Sequence, residues 1–306
     1  SFVSGTPIRS FAGIDRAAAR HALGVEPDER LMLVFGGSQA VTRLYTAVTD
    51  ALPQLLPDWH VRHLTGEGGM ADAGAARQRL PDPLRSRYAA EPFLTDRMAD
   101  ALVAADLVMG NLEQPLTEDT GTGKCGADAD RCFQFRAPPS YARHLRAAGF
   151  DLLNQANNHG YDYGEAGYRN TQQALAAQEL AHTGAAGEIT VVDVAGVSVA
   201  VVGFSSYPWN NSLVDIAAGK KVVEKAATMA DLVVVQAHMG AEGSDMTRVR
   251  PGTELFLGEN RGDPIKFSKA MIDAGADLIV GHGPHVLRGM EFYKGRLIAY
   301  SLGNFA

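Results

Sequence analysis

Three segments of the chain bring imidazole and amide groups to the end of an apolar run: Ala156-Asn157-Asn158-His159, Ala237-His238-Met239-Gly240 and Gly281-His282-Gly283-Pro284-His285. In an α/β sheet the carboxyl ends of neighbouring strands converge on one crevice, so residues remote in sequence meet there. Imidazole nitrogens and an amide oxygen suit a first-row divalent metal such as Mn, Fe or Zn, and a glycine near each histidine lets the backbone turn sharply enough to aim the ring. Any one of these histidines, taken alone, reads as a hydrogen-bonded strand-end residue. Three clusters placed alike point instead to one shared metal or anion site.

Two other groups invite a chemical reading. Gly36-Gly37-Ser38 stands between an apolar run and a helical pattern. Glycine there permits close approach and the helix N-terminus presents free N–H groups, the makings of an anion cradle; the alternative is a tight turn with a serine cap. Cys125 and Cys132 fall in a stretch rich in Gly, Asp and Thr that reads as an exposed loop. Paired, they would stabilise that loop by about 2 kcal/mol and imply an oxidising compartment; unpaired, they are two thiols of a cytosolic protein. A zinc site is disfavoured there, because the nearest histidine, His144, belongs to a helical pattern without a second histidine beside it.

The elements that must position these groups follow from apolar periodicity. Leu31 to Phe35 is a buried-strand run, Val41 to Leu52 a helix ended by Pro53, His60 to Leu64 a strand, Ala75 to Tyr88 a polar helix interrupted near Pro81 and Pro83, and Asp96 to Ala104 a helix before the strand Leu107-Val108-Met109. Strands alternating with helices imply a parallel sheet. Beyond Gly110 the loops lengthen. Helices are expected over Pro138 to Ala148, Gln172 to Gln178, Ile216 to Met229 and Ile265 to Ala274. Strands are expected at Asp151 to Leu153, Thr190 to Val194, Val197 to Phe204, Leu232 to Val235 and Leu278 to Val280, with a final hairpin over Met290 to Tyr293 and Leu297 to Ser301. The boundary between the two parts is expected within Asp106 to Asn111, on an apolar strand rather than a flexible linker.

Composition excludes several classes. The 306 residues are 46% hydrophobic with 33 Gly, which rules out disorder and collagen and allows two modest domains. With 28 Lys+Arg against 35 Asp+Glu there is no broad positive field for a phosphate backbone, so nucleic acid is not expected as a partner. No apolar run reaches the roughly 18 residues of a membrane span, and no basic-then-apolar leader stands at Ser1, so neither a transmembrane segment nor an export signal is expected within this chain.

Several motifs together resemble the CapA-type family of poly-γ-glutamate capsule proteins: Asp106-Leu107-Val108-Met109-Gly110-Asn111-Leu112-Glu113, Phe135-Arg136-Ala137-Pro138-Pro139, Asn157 to Gly164, His238-Met239-Gly240 and Tyr300-Ser301-Leu302-Gly303-Asn304-Phe305. The resemblance covers about residues 106–306. It implies a calcineurin-like metallophosphoesterase module, a four-layer α/β/β/α fold holding two divalent metal ions between loops at strand ends. By it, Asn158, His238 and His282 would ligate one metal and His285 the other, Asn111 and Glu113 would sit at the bridging position, and His159 would protonate a leaving oxygen. The chemistry implied is metal-assisted in-line attack on a phosphoryl or related electrophile, serving a capsule or cell-envelope polymer or its precursor. Two positions depart from the family. Its opening strand ends in a metal-binding Gly-Asp, whereas the candidate here ends Phe35-Gly36-Gly37-Ser38, and Gly283 stands where the last motif often has histidine. The missing carboxylate implies an impaired metal site.

The first part resembles the C-terminal domain of MurG-type glycosyltransferases over about residues 3–108. The matching motifs are Thr6-Pro7-Ile8-Arg9, Val34 to Gln39, His63-Leu64-Thr65-Gly66, Glu91-Pro92-Phe93-Leu94, Met98 to Leu102 and Ala105-Asp106-Leu107. That resemblance implies a partial Rossmann-like α/β segment of the GT-B C-terminal type. In it Arg9 and Ser38, with the Gly36-Gly37 turn, would contact the diphosphate of UDP-N-acetylglucosamine or nearby groups, and Phe93 and Leu94 would pack on the uracil. Ala40 and Tyr45 replace a Gly and an Asn that the family prefers, and the family's ribose- and sugar-holding Glu and Gln have no counterpart, so sugar transfer is not expected. The expected organisation is therefore a fusion: 1–107 a partial UDP-sugar-binding segment, 108–306 the metallophosphoesterase-type domain. Three functions stay open: a CapA-like module with an impaired metal site, a MurG-like hexosyltransferase fragment, or a catalytically silent binding protein. The first implies a place outside the cytoplasmic membrane and the second its cytoplasmic face.

Overall fold

A computed structural model describes residues 14–34, 42–92, 98–118, 121, 123–125 and 132–304. In its first part α1 (Arg16–Ala22), β1 (Arg30–Val34), α2 (Thr42–Leu55), β2 (Trp59–Leu64), α3 (Gly66–Arg79), α4 (Asp82–Arg85), β3 (Tyr88–Glu91) and α5 (Met98–Ala104) follow in order. The strands form a parallel sheet, β1-β2-β3. One face packs on α2 and α3 through Leu52, Leu56, Val61, Ala73 and Tyr88, and the other on α1 and α5 through Leu23, Leu31, Leu64 and Ala101. A parallel strand covered on both faces reads as a continuous apolar run, which is why β1 is legible in sequence.

The second part continues with β4 (Met109–Asn111), a 3-10 turn (Pro139–Tyr141), α6 (Ala142–Ala147), β5 (Leu152–Asn154), α7 (Gly164–Ala176), β6 (Ala181–Thr183), β7 (Thr190–Val194), β8 (Val197–Ser205) and β9 (Asn211–Ser212). It ends with α8 (Ile216–Ala227), β10 (Leu232–His238), the short pair β11 (Leu255–Phe256) and β12 (Glu259–Asn260), α9 (Pro264–Asp273), β13 (Leu278–His282), β14 (Met290–Tyr293) and β15 (Arg296–Ala299). A small parallel sheet β4-β5-β6 faces a larger mixed sheet in the order β14-β15-β13-β10-β8-β7, with β9 beside β8. Leu152 on one sheet meets Val199, Val201 and Val234 on the other. Outside the small sheet, α6 and α7 pack through Ala142, Leu175 and Leu153; outside the large sheet, α8 and α9 pack through Val223, Phe267 and Met271 onto Val202, Val235 and Ile279. The layers are thus helix, sheet, sheet, helix, the α/β/β/α order expected.

Local chemistry explains most of the element ends. Asp215 and Asp263 cap α8 and α9, each side chain accepting from a backbone N–H at 3.0 Å, that of Ala218 or of Lys266, and Pro264 opens α9 at a position where its missing N–H costs nothing. Four expectations are corrected. Helix α2 runs through Pro53 to Leu55, because burial of Leu52 and Leu56 outweighs the one hydrogen bond proline forfeits. Helix α3 begins at Gly66, well before Ala75: its glycines lack helix propensity, yet the small residues Gly69, Ala73 and Ala76 let it lie close on the sheet. Helix α7 begins at Gly164, and β4 ends at Asn111 rather than Met109, which puts that asparagine on the strand itself. Strands β3 and β6, helix α1 and the β11–β12 pair are not anticipated by periodicity. The two cysteines are joined as a Cys125–Cys132 disulfide.

Near the expected boundary, Asp106 accepts from Arg16 at 2.7 Å and from Arg20 at 3.3 Å, which fixes the end of α5 to α1. Arg20, almost wholly buried, also donates to the Ala104 carbonyl at 2.8 Å.

Two expected outcomes test this architecture. Leu152, inaccessible between the two sheets, should cost about 2–5 kcal/mol on Leu152→Ala, read as a lower urea midpoint; an unchanged midpoint would refute a dry sheet-to-sheet interface. His63 on β2 is fully buried with Nδ1 3.1 Å from the Tyr88 hydroxyl, and burial lowers its pKa from 6.5 to about 4. The neutral ring is the folded form, so its contribution is present above about pH 6.5 and is lost as pH falls toward 4. Denaturation between pH 7 and pH 4.5 should therefore show a steeper loss of stability in the native chain than in His63→Gln, and parallel curves would discard the assignment.

Candidate functional site

Strands β10 and β13 lie side by side and parallel, with His238 in register with His282, so the two imidazoles leave the sheet at the same level. Close packing makes this register specific. A Cβ on Gly281 would collide with the Tyr300 carbonyl oxygen, and one on Gly283, whose φ is +116°, would press on the Met239 backbone at 3.1 Å. Gly240 (φ +90°) turns the chain directly after β10. His285 itself has φ 57°, the left-handed region that histidine enters more readily than most side chains.

The small sheet contributes from the opposite side. Asn111, in register with Asn154, ends β4, and Glu113 follows it. The Asn111 amide donates to Glu113 Oε2 at 3.1 Å, while its Oδ1 accepts from Asn157 at 3.1 Å and from Asn154 at 3.4 Å. Asn157 also donates to the Leu112 carbonyl at 3.0 Å. Glu113 Oε1 lies 3.3 Å from His285 Nε2 and 3.7 Å from His238 Nε2, and the two rings are 6.2 Å apart at 66°. One carboxylate from the small sheet therefore reaches two imidazoles of the large one. His285 is held on its other nitrogen by Asn304 Oδ1 at 2.8 Å, and Glu242 Oε2 stands 4.0 Å from Nε2.

Electrostatics divide the histidines. Burial drives His238 down to about 3 and His282 to about 4, so both stay neutral and keep a lone pair. The hydrogen bond to Glu113 raises His285 to about 9. Burial acts to raise Glu113, but the His285 hydrogen bond and the charges of His238, His285 and His159 more than offset it and hold the carboxyl at about 2. His159 Nδ1 lies 2.9 Å from Asp162 Oδ2, and its backbone N–H donates to Asn157 Oδ1 at 3.0 Å.

Among the described residues no three His, Cys, Asp or Glu side chains form a ready metal cluster. The fit of a divalent ion is judged on other atoms. Asn158 Oδ1, both ring nitrogens of His238 and His282 Nε2 are buried without a hydrogen-bond partner. Orphaned buried acceptors are costly unless something pairs with them, and an amide oxygen with neutral imidazoles is a donor set that first-row divalent ions accept. The residues present fit such an ion.

The structure thus brings Asn111, Glu113, His238 and His285 together, with His282 beside His238 and with Asn158 and His159 on the neighbouring loop. Arg9, Gly36, Gly37, Ser38, Phe93 and Leu94 lie outside the described residues. Sequence reasoning assigned no role to Asn154, Asn157, Asp162, Glu242 or Asn304. The turn Asn157 to Asp162 carried the one readable signal, a carboxylate placed one helical turn after a histidine.

Comparison with known proteins completes the picture. The family described as "Bacterial capsule synthesis protein PGA_cap" matches residues 64–306. The capsule biosynthesis protein CapA of Bacillus anthracis is 35% identical over 242 residues, covering 72% of this chain and 54% of that protein. The PGA biosynthesis protein CapA of Bacillus subtilis is 34% identical over 219 residues, 66% of this chain and 53% of that protein. The chain spans about half the length of these relatives. A second likeness is separate: the UDP-N-acetylglucosamine–N-acetylmuramyl-(pentapeptide) pyrophosphoryl-undecaprenol N-acetylglucosamine transferase of Mycobacterium avium is 41% identical over 113 residues, 35% of this chain and 26% of that enzyme. With the family match extending over most of its length, this chain belongs to the bacterial capsule synthesis protein PGA_cap family.

Proposed function

We propose that residues 108–306 form a divalent-metal-dependent, phosphoesterase-type module that acts in poly-γ-glutamate capsule synthesis. The observation that carries this reading is the set of buried, unpartnered atoms on Asn158, His238 and His282 opposite the Glu113 carboxylate, 3.7 Å from His238. Asn158, His238 and His282 would hold one ion, and His285 with Glu113 a second. Once bound, such ions act as Lewis acids that polarise a phosphoryl or related oxygen and acidify water.

The remaining work belongs to the chain. Asn111, its oxygen already committed to Asn154 and Asn157, orients Glu113 through its amide rather than ligating. Asn304 fixes the His285 ring. His159, aligned by Asp162, delivers a proton to the leaving oxygen. With the carboxylate of the family's opening strand missing, the ion on His285 is expected at lower occupancy.

Elemental analysis of protein incubated with Mn²⁺ or Zn²⁺ and then desalted should find at least one ion per chain, and His238→Ala with His282→Ala should reduce that to about a tenth or less. Metal no higher in the native protein than in the double variant would end this reading.

A second reading concerns residues 1–107, favoured by the 41% identity to the N-acetylglucosamine transferase: this part binds the UDP portion of a UDP-sugar without transferring it. UDP-N-acetylglucosamine should then raise the melting temperature, with a smaller rise in Ser38→Ala. An equal response in both proteins, or none, would exclude it.

A further inference from the structure

The disulfide has no role in the chemistry described so far, yet both arms of the loop it closes end on His159. On one arm, Lys124 precedes Cys125. Its ammonium lies 2.7 Å from Asp162 Oδ1, donates to the Asn158 carbonyl at 3.0 Å and stands 3.2 Å from His159 Nδ1. Its backbone N–H donates to the Asp162 carbonyl at 2.8 Å. On the other arm, Phe135 follows Cys132 closely. Its N–H donates to Asp162 Oδ2 at 2.6 Å, and its ring meets that of His159 at a centroid distance of 4.6 Å. The arms are also joined directly, by Cys125 N–H to Gln134 Oε1 at 3.1 Å.

Asp162 thus has neighbours at both oxygens: one forms an ion pair with Lys124, the other accepts from His159 and Phe135, and the residue is completely buried. Lys124 and Phe135 themselves are partly exposed, at 32% for the lysine side chain and 46% for Phe135. A lysine held between the Asp162 carboxylate and the Asn158 carbonyl, beside the His159 ring, gives up considerable side-chain entropy and needs a restraint to stay there. The covalent link between the arms supplies that restraint by limiting how far they can part.

We propose that Lys124 is a positioning residue for His159, kept in place by the Cys125–Cys132 disulfide, so that the thiol–disulfide state of this loop sets the alignment of the proton-delivering imidazole. This rests on the role given to His159 above. Reduction by dithiothreitol would transfer two electrons and two protons to the S–S bond, giving two cysteine thiols and oxidised dithiothreitol. The arms would then separate, and Lys124 and Phe135 would leave His159 and Asp162 while Asn158, His238 and His282 stay where the strands put them.

The test uses the full chain with isotope-labelled histidine, the His159 imidazole signals being identified by their loss in His159→Gln. Reduction, Cys125→Ser with Cys132→Ser, and Lys124→Met should each move the His159 ring signals. Amide exchange over 157–163 should rise about tenfold or more with exchange in the strands unchanged. Lys124→Arg should restore the native signals. Zn²⁺ content is measured on the same samples and is expected to be equal in all of them. A ring signal indifferent to Lys124→Met, or one that moves with Lys124→Met but not with opening of the disulfide, overturns the proposal. Zinc absent throughout, with the ring signals behaving as expected, would instead count against the metal-dependent function and leave the tether standing.

Discussion

The arrangement depends on two sheets meeting face to face. The contact of Leu152 with Val199, Val201 and Val234 is dry, and it decides how closely the end of β5 approaches the end of β8. Glycine makes that approach feasible: a Cβ on Gly203 would strike Asn154 Oδ1 and would sit 2.9 Å from the Gly184 backbone. Apolar burial supplies the drive and the bare backbone supplies the clearance. Without both, Glu113 on the small-sheet side could not lie within reach of His238 and His285 on the large-sheet side.

That proximity creates an electrostatic problem with one economical solution. A half-buried carboxylate needs partners, and Glu113 finds an amide on one oxygen and imidazoles on the other. Burial keeps His238 and His282 neutral, which leaves basic ring nitrogens without a hydrogen-bond partner. Neutral imidazoles are the form that binds metal. Asparagines carry the framework around this cluster, because a neutral amide can donate and accept at once without adding charge that the site would have to balance.

Packing joins residues from before and after residue 107. Asp106 is paired to Arg16 and Arg20, and Met290 of β14 packs against the core beneath α2 and α3. The family match begins at Leu64, the last residue of β2, and takes in α3 and β3, so likeness to capsule proteins reaches into the first sheet.

Much was legible in sequence wherever burial imposes a simple pattern. The strands β1, β8, β10 and β13 show as largely apolar runs, and the polar residues at the ends of β10 and β13 announced where side chains could gather. Where small residues or proline blur periodicity, as in α2 and α3, the limits of elements were lost, since tertiary burial there overrides local propensity. What the chain determined by itself was the supply: which imidazoles, amides and carboxylates stand at strand ends, and two cysteines close enough in sequence to pair. Only the tertiary structure decided their partners. Register between β10 and β13, the distance between the sheets and the path of the loop to Lys124 are set by long-range packing. That packing is a property of surfaces brought together by folding, which no local pattern of residues records.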